Sequence, residues 1–267
     1  MSRTRGVWNT RGTWIAAVAL AAIAILTGYA LLSGGDSDAG APAAKGGATA
    51  PNTAGSASPG PTYAPPADWT EPQRWAALPR GTRTDSHGST VSFPHSAEGA
   101  VAMLAAANTV GVEADRSTVD EQLRIYSSYI GRGDQKDDAA EQIELSAQAA
   151  DKSLAQEMGV RPGQPLPAGA YQRSHVVGYK IIKQSGDEVS AWLLTRVVQK
   201  AGETAPEKGS YSRTLAGAQW QDGDWKITAD ATRRAQQDLQ GQAEPAMAAP
   251  GDEAFNSAGW TAIREAS

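Results

Sequence analysis

The residue pair in this sequence that most resembles a catalytic dyad is His95 followed by Ser96, a base beside a hydroxyl. Adjacent residues rarely present their side chains to each other in catalytic geometry, and the G-x-S-x-G turn that exposes a nucleophilic serine does not occur. Ser96 also precedes an apolar-periodic segment, which is typical of a helix N-cap. We therefore predict that Ser96 caps a helix and is not a nucleophile.

Other polar residues could act as a base only if the fold buried them in a cavity. His87 lies in the turn-rich segment 85–88, where we expect it to be solvated. Inside a cavity the candidates would be His175, Tyr179 and Asp187. A half-buried strand histidine needs no function, however, and aspartate is favoured in turns for backbone reasons. We predict no catalytic residue and no enzymatic activity.

The sequence also predicts no metal site and no cofactor. There is no cysteine, which excludes disulfides, thiolate zinc sites, thiol nucleophiles and an acylated cysteine anchor. Asp134, Asp137 and Asp138 flank two glycines, but their spacing fails the calcium-loop pattern, and capping of the following helix is the simpler account. No H-E-x-x-H motif and no G-K-[ST] phosphate loop is present.

The charge balance argues against nucleic-acid binding. The 267 residues carry 24 basic and 29 acidic side chains, for a formal charge of −5 at pH 7. The basic residues are dispersed, whereas affinity for phosphates depends on clustered Lys and Arg. We therefore predict no nucleic-acid partner.

A long apolar segment near the N-terminus predicts a membrane anchor. Residues 14–32 form 19 uncharged residues, about 29 Å as a helix, which matches the bilayer core. Three arginines precede the segment and two aspartates follow it, which favours a cytoplasmic tail at 1–13. A cleaved signal peptide is the alternative, although such peptides have a shorter apolar core and a small-residue cleavage site. We predict a single-pass plasma-membrane protein that contacts the lipid bilayer through 14–32, with an extracytoplasmic C-terminal domain.

The next segment has the composition of a disordered linker. Of the 35 residues at 33–67, 30 are Ala, Gly, Pro, Ser or Thr, and none is a large aliphatic residue. Such a chain cannot bury enough apolar surface to offset the entropy of ordering. We predict a disordered linker at 33–67, followed by an extended arm at 68–93.

Three helical patterns and then four strand patterns predict an α+β domain at 94–231. Helices are expected to begin at Ser96, Ser117 and Asp137, and strands at 174–183, 189–200, 210–220 and 224–229. Asp222-Gly223 is a strong hairpin signal. We expect a cone-like domain in which the three helices pack on a curved four-stranded antiparallel sheet. Residues 232–267 are predicted to be a flexible tail whose Phe255, Trp260 and Ile263 could dock.

The strand end W-x-D-G-D-W-K-I, residues 220–227, resembles the last hairpin of nuclear transport factor 2-like domains. The layout of tail, anchor, linker and domain is similar to bitopic scaffold subunits of type IV secretion and conjugation systems, including those of actinobacterial-type conjugative elements. The segment from Phe93 to Ser96, running into Gly99-Ala100, resembles a helix start that is common in the proteins of those conjugative elements. The resemblance implies a role in assembling a transfer channel, without chemistry by this subunit.

These observations leave three functional hypotheses open. The first is a noncatalytic scaffold or adaptor that binds membrane protein partners or itself, since an anchored domain lacks a catalytic set. The second is a small-ligand-binding or enzymatic domain that uses the interior of the cone, which needs a pocket with convergent polar groups. The third is a cell-envelope sensor, although 13 residues cannot fold into a cytoplasmic output domain.

Overall fold

A computed structural model describes residues 68–161 and 164–264 as one α+β arrangement of nine strands and five α-helices within those ranges. The elements in chain order are β1 (Trp75–Ala77), β2 (Arg83–Thr84), β3 (Thr90–Val91), α1 (Ala97–Ala107), β4 (Val110–Val112), α2 (Thr118–Tyr129), a 3-10 turn (Arg132–Asp134), α3 (Asp137–Glu157), β5 (Ala170–Gln184), β6 (Glu188–Ala201), β7 (Lys208–Gln221), β8 (Asp224–Ile227), α4 (Ala229–Asp238), α5 (Glu253–Ser257) and β9 (Thr261–Arg264).

A mixed seven-stranded sheet forms the centre of the domain. Its strand order is β1-β9-β5-β6-β7-β8, and β4 pairs with the first part of β5. The long strands β5, β6 and β7 are antiparallel, whereas β1 and β9 run parallel. The prediction of a four-stranded antiparallel sheet is therefore wrong. The additional strands are only three or four residues long, too short to show the period of two that identifies a strand.

The predicted number of helices is also wrong, because α4 and α5 follow the sheet in the segment expected to be a tail. The predicted caps are confirmed. The Ser96 hydroxyl accepts a hydrogen bond from the Gly99 N–H, and Ser117 and Asp120 form a reciprocal capping box. Thr228 caps α4 in the same way, by accepting from the Ala231 N–H. Each bond satisfies a backbone donor that the first helical turn leaves free.

The sheet buries apolar side chains on both faces. We call the face covered by α1, α2 and α3 the inner face; its core includes Met103, Leu104, Leu193 and Trp225. The outer face is covered by the chain after β8 and contains a second cluster, with Trp192, Leu194, Phe255, Trp260 and Ala262. Burial in β6 is continuous from Val189 to Thr195, as expected of a central strand with two covered faces.

The predicted transmembrane helix (14–32), the cytoplasmic tail (1–13) and the linker (33–67) lie outside the described residues. Within 68–161 and 164–264, none of the helices combines the length and apolar character that crossing a membrane requires. On this finding the predictions of a single-pass anchor and of a plasma-membrane localisation are corrected, because no helix of the described residues supports them.

Candidate functional site

The fold brings together two residues that the sequence offered as separate candidates. His95 Nε2 lies 2.9 Å from Asp187 Oδ1, although the residues are 92 positions apart in the chain. His95 precedes α1, and Asp187 lies in the turn between β5 and β6. Nothing in the sequence indicates that this turn aspartate and this histidine are neighbours. Their pairing follows only from the tertiary fold.

Two tryptophans complete this cluster. The His95 ring is stacked on Trp220, with ring centroids 4.0 Å apart and an interplanar angle of 11°. Trp225 meets both rings edge-on, with centroids 5.7 Å from His95 and 5.4 Å from Trp220. We call His95, Asp187, Trp220 and Trp225 the aromatic platform. Stacked and edge-to-face pairs of this kind favour one ring orientation over others.

A carboxylate clamp holds the chain that leads to His95. Asp224 accepts hydrogen bonds from the backbone N–H groups of Ser92 and Phe93, at 2.9 and 3.0 Å. Ser92 has φ of 62°, a left-handed conformation that costs a non-glycine residue roughly 1–2 kcal/mol. The Trp225 indole N–H then donates to the Pro94 carbonyl at 2.9 Å. The backbone before His95 is thus held in a strained conformation by the same hairpin that supplies the tryptophans.

The β7–β8 hairpin sets the position of the other half of the platform. Asp222 and Gly223 have φ of 53° and 80°, the left-handed pair of a two-residue type I′ turn, so the predicted hairpin is confirmed. The turn places Trp220 directly opposite Trp225. The backbone N–H of Trp220 also donates to the backbone carbonyl of Asp187 at 2.9 Å. This bond fixes the turn that carries the Asp187 carboxylate.

The aromatic platform is better suited to binding a partner than to transferring a proton. The side chains of His95 and Asp187 are 44% and 77% exposed, and an exposed pair of this kind contributes only about 0–1 kcal/mol. The adjacent Ser96 hydroxyl is occupied in capping α1, with its oxygen 3.1 Å from the Gly99 nitrogen. The cluster therefore presents the half-exposed His95 ring, stacked on Trp220 and supported from below by the buried Trp225, with a carboxylate at its rim. Ser96 is not placed as its nucleophile.

The remaining sequence candidates lie elsewhere and do not converge. Tyr179 is buried in the inner core, and burial raises the pKa of its hydroxyl. His175 is a half-buried residue of β5, and His87 is exposed in the turn between β2 and β3. Among the residues that the structure describes, no group of three His, Asp or Glu side chains could hold a metal ion.

The predicted capping of α3 by the aspartates near its start is wrong for Asp134. The N-cap of α3 is Lys136, which makes no side-chain capping bond. The Asp134 carboxylate instead accepts from the Ala229 N–H at 2.9 Å, at the beginning of α4. It thus joins the segment after α2 to a helix that is distant in sequence.

Sequence reasoning also missed a buried carboxylate, Glu121 of α2, which is 1% exposed. Buried carboxylates are candidates for catalysis when they are unpaired. Glu121 is paired, with Arg124 at 2.8 Å and Arg116 at 3.1 Å. Arg124 continues the network to the Ser89 hydroxyl and the Thr109 carbonyl. These bonds connect α2 to neighbouring loops, which is a structural role.

An open groove of about 460 Å³ lies beside the β2–β3 hairpin, apart from the platform. Its lining includes Arg80, Arg83, Thr90 and Phe93. No candidate from the sequence falls in it.

Comparison with known proteins finds no matching family model, no similar curated protein and no similar solved structure.

Proposed function

We propose that this protein is a noncatalytic adaptor whose domain binds a protein partner through the aromatic platform. The observation that carries the proposal is the half-exposed His95 ring, stacked at 4.0 Å on Trp220 and fixed by strained backbone. Strain of this kind persists only where surrounding contacts impose it, and it concentrates at functional positions.

The platform has the properties of a binding hot spot. Aromatic side chains dominate protein–protein hot spots, and ordering them before binding lowers the entropic cost of association. The hydrogen bonds of Asp224 and Trp225 order His95 in the unbound domain. The exposed Asp187 carboxylate adds a negative group at the rim, which favours a partner that presents a basic side chain there.

The role in a transfer channel remains a prediction from the sequence resemblance. A small-ligand-binding or enzymatic domain and a cell-envelope sensor remain the alternatives. What supports the adaptor role is the platform itself. Its aromatic surface lies at the hairpin end of β7, next to the β5–β6 turn, where a partner can reach it from solvent.

Site-specific photo-crosslinking tests the proposal. The photoreactive amino acid p-benzoylphenylalanine is placed at position 186 of the full chain, in cells that produce the protein naturally. Gly186 is exposed beside Asp187, and a side chain added there meets open space. We expect one discrete adduct, identified by mass spectrometry, which disappears when His95→Ala is added. The matched control places the same group at Lys152, an exposed residue of α3, and should not give that adduct.

Two results would contradict the adaptor role. One is an adduct at 186 that persists unchanged with His95→Ala. The other is the same adduct from 152. Because His95→Ala removes a half-exposed side chain outside the apolar core, circular dichroism should show an unchanged fold, so a lost adduct is a lost contact.

A further inference from the structure

The strand β7 has an unpaired edge along most of its length. It spans 14 residues, and β6 pairs with it from Lys208 to Gln219. On the opposite side, β8 pairs only with Ala218–Gln221. Residues 209–215 therefore border β6 on one side and have no neighbouring strand on the other.

The alternation of an antiparallel strand identifies which backbone groups face this edge. The Gly217 N–H donates to the Thr232 hydroxyl, and its carbonyl accepts from the Thr228 N–H, so both groups of Gly217 point away from β6. Successive residues alternate in direction, so those of Gly209, Tyr211, Arg213 and Leu215 point the same way. In the described part of the chain, no backbone hydrogen bond reaches these four residues. Such an edge is a template for another strand.

A second observation lies on the same strand. The hydroxyl oxygens of Ser210, Ser212 and Thr214 are buried on the inner face and have no hydrogen-bond partner among the described residues. Buried polar groups in native proteins are normally satisfied, so three orphans in a row call for an explanation. They occur at the positions that alternate with the outward-facing backbone groups. Thr195 of β6, directly opposite Ser212, is a further unpaired hydroxyl, but Ser210 and Thr214 lie opposite Val197 and Leu193. Pairing within the chain would therefore satisfy Ser212 alone.

We infer that the missing partner is a second copy of this chain, with the two β7 edges paired antiparallel about a two-fold axis at Ser212. In this register Ser212 lies opposite Ser212 of the second copy, and Ser210 lies opposite Thr214. Every orphan hydroxyl of the strand then has a hydroxyl directly across from it. Cross-strand Ser and Thr pairs form hydrogen bonds of this kind after side-chain rotation.

Two features select the second copy and this register over a foreign peptide. The same patch is complementary to itself, as an isologous two-fold interface requires. The register also places Arg213 opposite Tyr211 of the second copy, so no like charges face each other. A shift of two residues toward Leu215 would place Ser210 opposite Ala216, which has no hydroxyl, so one orphan would stay unpaired.

The interface is independent of the proposed adaptor role. It occupies residues 209–215, whereas the platform lies around Trp220, beyond the start of β8. The dimer joins two sheets into one continuous sheet and presents two platforms, one from each copy.

A single engineered cysteine tests the register, because the natural chain contains none. At the two-fold axis the paired residues are not hydrogen-bonded to each other, so their Cα atoms lie about 4.5 Å apart, within the range for a disulfide. We expect Ser212→Cys in the full chain to form a disulfide-linked dimer under mild oxidation. The matched control is Ser153→Cys on an exposed position of α3, which should cross-link at least about tenfold more slowly, because only pairing raises the local thiol concentration.

Two charge variants test the pairing while folding is measured separately. Tyr211→Lys places a lysine opposite Arg213 of the second copy, whereas Tyr211→Glu places a carboxylate there. Because the half-buried Tyr211 also lies opposite Arg196 of its own chain, urea unfolding of both variants checks that the fold is kept. Light scattering after size-exclusion chromatography should give a dimer for the natural chain and for Tyr211→Glu, and a monomer for Tyr211→Lys.

Any of three results would overturn the inference. The first is a natural chain that stays monomeric at all concentrations while Ser212→Cys links no faster than Ser153→Cys. The second is a dimer with equal mass and affinity in Tyr211→Lys and Tyr211→Glu, which would place the interface elsewhere. The third is cross-linking of Ser212→Cys to a different protein in preference to itself.

Discussion

Two buried threonines show how differently the same side chain can contribute to this fold. The Thr232 hydroxyl accepts from the Gly217 N–H and donates to the Thr228 carbonyl, both at 3.0 Å. The Thr195 hydroxyl, in the middle of β6, has no partner among the described residues although the residue is 1% exposed. A buried hydroxyl without a partner retains its desolvation penalty, whereas a bonded one does not.

This contrast predicts opposite effects for the same substitution. Thr195→Val replaces an unpaired hydroxyl with a methyl group of similar size and should raise the free energy of unfolding by about 1 kcal/mol. Thr232→Val should lower it by about 1–3 kcal/mol, because the Gly217 N–H loses its acceptor. Urea unfolding followed by tryptophan fluorescence measures both. A decrease for Thr195→Val as large as that for Thr232→Val would show that Thr195 has an essential hydrogen bond.

At the scale of elements, α4 is attached to the sheet by contact and by charge. A Cβ atom at Gly217 would lie 2.4 Å from the Ala231 carbonyl carbon, so the helix approaches β7 as closely as only glycine permits. Arg234 of α4 binds the Glu188 carboxylate through two nitrogens, at 3.0 and 2.7 Å. The pKa of Glu188 is held below its usual value, first by the hydrogen bonds from Arg234.

The sign of this pKa shift predicts how acid affects α4. A carboxyl whose pKa is lowered in the folded state stabilises that state above its unfolded pKa of 4.5, and the contribution is lost as pH falls through the lower folded value. Glu188→Gln removes the contribution at every pH. The free energy of unfolding of the natural chain should therefore exceed that of the variant by about 1 kcal/mol at neutral pH, a value typical of a partly exposed bidentate pair. In acid the two free energies should converge.

Thermal unfolding of both proteins between pH 3 and 7 measures this difference. The control is Asp115→Asn, at an exposed loop carboxylate that is absent from the ion pairs of the described residues. A difference between Glu188→Gln and the natural chain that stays constant down to the lowest pH would contradict the role of the ion pair.

The elements that the sequence predicted well are those with local signals. The capping box at Ser117 and the hairpin at Asp222-Gly223 depend on residues at most three positions apart, so their patterns are visible in the sequence. The strands β1, β4 and β9 have no such pattern, because each is a few residues long and is defined by a distant partner. The His95–Asp187 contact was unpredictable for the same reason.

At the scale of the whole molecule, the two ends of the described chain close the outer face together. Trp75 of β1 pairs in parallel with Ala262 of β9, and β9 in turn pairs with β5 at Gly178 and Tyr179. The segment between α4 and β9 covers apolar residues that a four-stranded sheet would have left exposed. The predicted flexible tail is thus, in the structure, one layer of the domain.

Trp260 provides the sharpest test of this layer. It is 1% exposed, packs in the outer cluster, and donates its indole N–H to the Ala246 carbonyl at 2.8 Å. Trp260→Ala should therefore lower the free energy of unfolding by about 3–5 kcal/mol, as for other buried aromatic residues. Leu145→Ala, at a leucine of α3 that is 59% exposed, should change it by less than about 0.5 kcal/mol. If urea unfolding gave equally small changes for both, the C-terminal segment would not be part of the cooperative unit. A large loss for Trp260→Ala alone would show that the C-terminal segment unfolds together with the sheet.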